Sequence, residues 1–581
     1  MKRFFIAAAF VAAFDATASA QVEKVVEVTK AYVPGLESAV KLGIEPNMTD
    51  TARMRPEIDY TVMPLSIGTS LRTRAIRPAT VTYWEFNRPR TCYLKAGAGY
   101  PLNSELDFYA SSQNHDTGYV IGYINHEGRY DKIRNDFGTA YNSVRTTNRV
   151  GSAAGWYIGR HVFEGELSYE NRLLHRYGRY IPAGPAFESL PAAGAVIDYG
   201  DARLGLRIGD DFLDLSRFNF EVAFSGGIFF DHSDVAERAR QNTLGGRFRI
   251  GKAFGCHRFS IEGGYEWLDG GKNLRGLRQQ QIHAGARYGH DGEIMRLEVG
   301  ADYYYDDMEG EENQHYIIPF ARLHFTLGAR EFKPFIEADG RVRDNSFRSL
   351  TLQNPYVAGG ILPDHETGLW LDKSSVDYNV RLGLGGTLWS NRFDYRVYVG
   401  FSIRDHHVYW YGDFPADRRN VVGFSGALLP QQSRQTVSSL HGEIIYRPLE
   451  QLHIDLGLHG FLYNDERVFR YGKRIELGNG EPQFRANAAI RYQGRKIACG
   501  VGAVAESKRL WSMFISRNGE YLAGRFSVPF SVDLSADFEW KISGRVAVFV
   551  EGRNLLDRKL YRYPWYPEYR VSFTAGAKVV F

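Results

Sequence analysis

The chain has 581 residues, with 71 Lys and Arg against 67 Asp and Glu and a formal charge of +4. So small a charge on so long a chain argues against a nucleic-acid partner. Three cysteines, Cys92, Cys256 and Cys499, allow at most one disulfide and show no metal-ligand spacing among themselves.

Residues 1–20 read as a cleaved secretory signal peptide. Lys2 and Arg3 start it, an apolar run follows over 4–14, and Ala18, Ser19 and Ala20 form the small-residue cleavage site. Gln21 comes next, so no cysteine stands ready for lipidation. No other stretch reaches the ~18 apolar residues of a membrane helix. The expectation is an exported protein without a helical anchor. A mean hydropathy of -0.35 agrees with a β-barrel, in which only alternate strand residues face lipid. The 61 Gly, 36 Tyr and 37 Phe suit strands, turns and aromatic girdles better than helices.

Residues 21–86 lack alternation and carry Pro34, Pro46, Pro56, Pro64 and Pro78. They form an irregular segment, periplasmic or lying in a lumen, too short and too poorly patterned for a core of its own. Residues 87–581 read as one all-β domain. The clearest hairpin runs through Tyr378, Val380, Leu382, Leu384 and Leu388, turns at Asn391, and returns through Phe393, Tyr395, Val397, Val399, Phe401 and Ile403. Short turns are expected near Pro101, Gly159, residues 210–216, Gly255, Asp291, Gly328, Asn391, Pro448, Gly494 and Gly544. Long polar connections are expected over 173–197, 344–374, 405–435 and 508–525. Short turns on the periplasmic side and long loops outside are the outer-membrane pattern, and the turn count gives about 22 antiparallel strands. The parity requires residues 103–126 to hold one long or broken strand. The predicted fold is a large antiparallel transmembrane β-barrel.

Val532, Leu534, Ala536, Phe538 and Trp540 alternate with Asp533, Ser535, Asp537 and Glu539, which puts every acid on one face of a strand. The final strand, 570–581, alternates through Val571, Phe573, Ala575, Ala577 and Val579 and stops on Phe581. Phe573 and Phe581 are the residues expected to serve barrel closure. Ahead of them stand Asn554, Leu555, Leu556 and Asp557, then Tyr561, Tyr563, Pro564, Trp565, Pro567 and Arg570. This ending resembles the TonB-dependent outer-membrane receptors, whose barrels close with such a motif, an aromatic and proline-rich loop and a terminal Phe. The resemblance implies an outer-membrane receptor barrel, but 21–86 is far shorter than the globular plug of that family. The run from Val22 to Val28 resembles the apolar box that such receptors offer to TonB; an edge strand or leader is the plainer reading.

No catalytic constellation or cofactor motif is present, and the expectation is a protein that is not an enzyme, with no cofactor. Gly423, Phe424, Ser425 and Gly426 miss the spacing of a nucleophile elbow. A hairpin turning near Pro448 would send Leu440, Ile444, Leu452, Ile454, Leu456 and Leu458 to lipid, and His441, Glu443, His453, Asp455 and His459 to the lumen. It would set Glu443 opposite Asp455, with His441 diagonal to Asp455 and His459. His441, Glu443, Asp455 and His459 are then a candidate transition-metal cluster, against the plainer reading of a hydrated polar wall. The run Tyr303, Tyr304, Tyr305, Asp306, Asp307, Met308, Glu309 reads as an interfacial girdle leading into an acidic loop, with calcium or bridged lipopolysaccharide as the functional option. His406, His407, Tyr409, Trp410, Tyr411 and the run 561–567 read as girdle and loop tips.

The expected surroundings are outer-membrane lipid and lipopolysaccharide, with other outer-membrane or periplasmic proteins as partners and no nucleic acid. A lumen of this width needs filling or covering. The first functional reading is therefore a structural or accessory subunit of a larger outer-membrane complex. The second is a transporter or channel whose plug is reduced or supplied by another chain.

Overall fold

The computed structural model describes residues 91–581 apart from 113–116, 135–139, 179–195, 213, 234–238, 273, 275–276, 310–311, 327–330, 358–370, 372–373, 390, 416–427, 466–467, 471–472, 476–477 and 518–519. The expected signal peptide, the segment 21–86 with its apolar run, and Gly423 to Gly426 lie outside the described residues.

Twenty-two antiparallel strands close on themselves, from Cys92–Tyr100 to Ser572–Val580. At the seam the first strand pairs the last from Tyr93↔Val580 to Tyr100↔Phe573, and Cys92 and Phe581 exchange two backbone hydrogen bonds of 2.8 and 2.9 Å. Closure removes the free edge that an open sheet leaves. Two glycines allow the close approach there: a Cβ on Gly99 would run into the Phe573 carbonyl, and one on Gly576 into that of Ala96.

The period of two decides the two faces. Val150, Trp156, Leu206, Ile261, Leu382 and Leu458 point outward and are exposed. Their neighbours point inward, where charges pair across strands: Arg207 with Glu164 at 3.3 Å and Glu221 at 2.9 Å, Arg287 with Asp302 at 2.8 Å, and Arg396 with Glu337 at 3.1 Å. An apolar outside and an ionic inside is the requirement of a barrel in lipid.

The predicted hairpin is Ser375–Leu388 with Phe393–Pro415, in the register Tyr378↔Ile403 to Leu388↔Phe393. The chain differs from expectation at its start. Residues 103–126 fall in two strands, Asn103–Ser111 and Gly118–Arg129, so the turn at Pro101 lies at the opposite end of the barrel from Gly159, Gly255 and Gly494. A tight turn does not reveal its end of a barrel, and parity is met by the extra reversal near Ser112. The end bearing Cys92 and Phe581 thus carries the short turns, and the other end carries most of the long connections. Within 405–435 the strands continue to Pro415 and resume at Leu429. Within 508–525 lies a hairpin, Arg509–Arg517 with Glu520–Val528.

Candidate functional site

The long connections fold back across the mouth of the barrel. A seven-residue helix, Phe347–Gln353, starts at Ser346, whose hydroxyl accepts from the Ser349 amide; this N-cap satisfies a donor the first turn leaves free. Phe347 packs edge-on against Tyr199 and Phe229, 6.3 and 5.9 Å away, on the barrel strands Val196–Gly209 and Asn219–Asp231. Arg348 pairs with Asp201 at 2.7 Å. Beyond the helix, Tyr356 lies flat on Tyr566 with centroids 3.6 Å apart. Tyr566 belongs to the connection before the last strand. The Tyr563 hydroxyl donates to the Gln353 carbonyl at 2.7 Å, and the Tyr177 hydroxyl donates to that of Pro567 at 2.9 Å. Trp511, from the 509–528 hairpin, stands 6.0 Å from Tyr563. That hairpin pairs in parallel with the end of the Phe393–Pro415 strand.

Residues from the strands His161–His175, Val196–Gly209, Asn219–Asp231, Ala239–Phe254 and Phe393–Pro415 therefore meet residues of several connections in one apolar cluster that includes Tyr177, Tyr199, Phe229, Trp410, Trp511 and Tyr566. Elements so far apart on the circumference touch only if they converge across the opening. Burial pushes the Tyr356 and Tyr563 hydroxyls above the ordinary phenol range.

This corrects the reading of two aromatic runs as girdle and loop tips. Tyr409, Trp410 and Tyr411 are buried, as are Tyr563, Trp565 and Tyr566. The strand Phe393–Pro415 is 23 residues long, more than the ~9–11 that span a bilayer, so its far end stands clear of lipid. A register shift between Arg404 and His407, with His406 at φ 54°, re-aims the chain at that point.

Beside the cap lies a cleft of about 100 Å³. Six arginines line it (Arg129, Arg145, Arg509, Arg553, Arg562 and Arg570) against three acids, Glu506, Asp533 and Glu568. Some of this charge is held internally. Arg145 is 3.7 Å from Glu568, Arg509 donates to the Tyr561 carbonyl, and Arg129 donates to Ser572 Oγ at 3.3 Å. Arg129 Nε, Arg509 Nε and Arg562 Nη1 are buried without a hydrogen-bond partner among the described residues. Donors so placed suit an anion. The Asn-Leu-Leu-Asp motif shapes the wall: Asn554 Nδ2 donates to the Arg558 and Tyr569 carbonyls, and Asp557 accepts from Arg570 Nε and Nη2 at 2.9 and 2.8 Å.

The candidate metal cluster is rearranged. His441 is directly opposite His459, with Nδ1 atoms 2.8 Å apart. Glu443 lies opposite Gly457 and, on its other side, Arg396; Asp455 lies opposite Ile445 and 3.7 Å from Arg491. Glu443 and Asp455 therefore do not face each other. The turn sits at Glu450 and Gln451, later than expected, which displaces each partner by three positions; a bulge between Tyr446 and Leu449 takes back one, for a net shift of two. His441 stacks on Tyr398 at 4.3 Å, and Phe461 is 5.4 Å away. The two imidazoles sit in an aromatic nest and each carboxylate has its own arginine neighbour. His453 faces Arg491 across the strands.

In the run near residue 305, Tyr303 is exposed. Asp306 is buried and accepts from Gln279 Nε2 at 2.7 Å and from the Ser374 hydroxyl, so it belongs to the wall rather than to a loop. Phe573 faces outward and Phe581 completes the seam. Sequence reasoning missed the arginine cleft, whose residues come from six separate stretches. A higher-than-usual arginine density over 553–570 was its one local trace.

No family model matches the sequence, and no curated protein matches it. Solved structures do. The FrpB iron transporter from Neisseria meningitidis superposes with a TM-score of 0.64 at 11% identity, covering 85% of this chain and 82% of its own. The copper transporter OprC gives 0.60 at 12%, covering 84% and 81%. The ferripyoverdine receptor of the outer membrane of Pseudomonas aeruginosa gives 0.60 at 10%, covering 85% and 72%. At such identities the likeness is one of fold alone, the large closed antiparallel barrel described above.

Proposed function

We propose that the chain is an outer-membrane transporter that admits an anionic metal chelate through the capped end of the barrel. The observation that carries this is the cap itself: converging loops cover the mouth and leave beside it a cleft with more guanidinium than carboxylate. A structural subunit has no use for unpaired buried arginine donors, whereas an anionic solute would supply their acceptors. The likeness to an iron transporter, a copper transporter and a ferripyoverdine receptor supports the transporter over the accessory subunit that the sequence put first. The capped end faces outward and the short turns face the periplasm. Residues 21–86, or another chain, would complete the barrier from below.

Uptake of labelled anionic ferric chelates by cells carrying Arg509→Gln with Arg562→Gln tests this. Uptake falling at least ~10-fold at normal barrel abundance is expected, the scale of losing a charge-assisted hydrogen bond. Parent cells that take up no chelate, while the barrel retains stable co-purifying proteins, would return the accessory subunit to first place.

A further inference from the structure

At the opposite end of the barrel, Cys256, His257 and His290 come together. The thiol and one ring nitrogen of each histidine all lie within 4.8 Å of one another. Cys256 occupies the short turn between Ala239–Phe254 and His257–Lys272, beside Gly255 at φ 60°. His257 and His290 are direct partners across the next strand pair, with rings 5.1 Å apart. The register, not sequence spacing, makes the group.

Several contacts hold it in place. The Asp291 amide donates to the Cys256 carbonyl at 2.9 Å, tying the turn to the end of the neighbouring strand. The Tyr288 hydroxyl bonds His257 Nδ1 at 2.8 Å, the kind of outer contact that orients a ligating imidazole. Nδ1 of His290 is buried with no hydrogen-bond partner among the described residues. A Cβ on Gly292 would stand 3.2 Å from His290 Nε2, so glycine leaves that side of the ring open. Asp291, the nearest carboxylate, is held by Arg258 and Arg296 at 2.8 Å each and does not enter the group.

We infer that Cys256, His257 and His290 form a binding site for a thiophilic cation, Zn²⁺ or Cu⁺. Tetrahedral ligands at roughly 2.0–2.3 Å from zinc stand about 3.3–3.8 Å apart, so a 4.8 Å group closes on the ion by a thiol rotation and a small ring shift. One thiolate and two imidazoles suit a borderline or soft metal and disfavour calcium or magnesium. Three protein ligands leave a fourth position open to water. Binding replaces the thiol proton, which passes to solvent. The site stands on the outer wall among the exposed Phe254 and Phe259, at the short-turn rim and far from the capped cleft.

The full-length barrel in detergent, titrated with Zn²⁺ and with Co²⁺ as a spectroscopic probe, tests the assignment. One ion per chain and a thiolate-to-cobalt charge-transfer band are expected. Cys256→Ser should remove the band, and His290→Gln should weaken Zn²⁺ at least ~10-fold. Cys92→Ser with Cys499→Ser should change neither, and heat-modifiability on gels checks that each variant folds. Absence of Zn²⁺ binding at millimolar metal, or a band that survives Cys256→Ser, overturns the site.

Discussion

Lys95 holds the seam of the barrel, and replacing it should shorten the life of the folded state. Its register partner on the last strand is Lys578, so two ammonium groups face each other where the barrel closes. At ~5 Å and an effective dielectric of about 20, that repulsion is about 3 kcal/mol. Acids offset it: Lys95 Nζ is 2.7 Å from Glu105 and 2.9 Å from Glu551, and Lys578 pairs with Glu539. The Phe549 ring lies 4.6 Å from one ammonium and 5.3 Å from the other. Lys95→Met relieves the repulsion but removes the cation that Glu105 and Glu551 share, leaving Glu551 with Arg553 at 3.5 Å. Breaking a buried pair in this way costs about 3–5 kcal/mol, and the relief offsets part of it. Against a relief of about 3 kcal/mol the net loss is about 1 kcal/mol, roughly 5-fold. Barrels of this kind are judged by how long they resist unfolding, so the assay is the half-life of the compact band in SDS at raised temperature. Adding Glu105→Gln and Glu551→Gln to Lys95→Met should restore most of that half-life. A single variant as durable as the parent, or a triple variant no better than the single, would refute the electrostatic account of closure.

Tyr356→Ala or Tyr566→Ala should loosen the cap, at a cost of about 3–5 kcal/mol for a buried ring, and raise conductance in planar bilayers; unchanged conductance would mean that the barrier lies elsewhere. Phe573→Asp puts a carboxylate on the lipid face, at less than the ~2–4 kcal/mol of a cation at the bilayer midplane, and should lower the amount of heat-modifiable barrel; normal abundance would reverse the facing of the last strand. An epitope inserted at Arg517 should be reached by antibody on intact cells and one at Gly494 should not, since these residues lie at opposite ends; equal access would sink the orientation. Among the long connections, Asp364 and Asp417 lie outside the described residues, and tags there extend the same test.

Much of the barrel is legible because its physics is local. A strand between lipid and a polar lumen must alternate, and Val532 to Trp540 or Val571 to Phe581 show that alternation without reference to any partner. Eight of the expected short turns stand at the short-turn end for the same reason, since Gly, Asn and Pro punctuate the chain where it reverses; the one near Gly328 lies outside the described residues. Register is not local. The turn at Glu450 and Gln451, only partly offset by the bulge after Tyr446, set Glu443 away from Asp455, and no composition rule announces either. The aromatic runs failed for a different reason. Tyr and Trp near the end of a barrel strand are the mark of an interfacial girdle, and the same residues also make a buried cap. Trp410 and Tyr566 take the second course because partners from distant strands reach them, which only the closed barrel supplies.

The two sites divide along this line. The arginine cleft is assembled by loops, so its residues scatter through the chain, and its shape depends on the cap staying closed. The Cys256 group is assembled by register between adjacent strands and a two-residue turn, which are the most rigid parts of a barrel. A ligand that opens the cap would therefore disturb the cleft and leave the cysteine group untouched. Cap opening with Tyr566→Ala should weaken chelate binding while Zn²⁺ binding stays at the parental value. If both fell together, strain would be passing along the wall from one rim to the other, and the barrel could not be treated as a rigid frame carrying two independent sites.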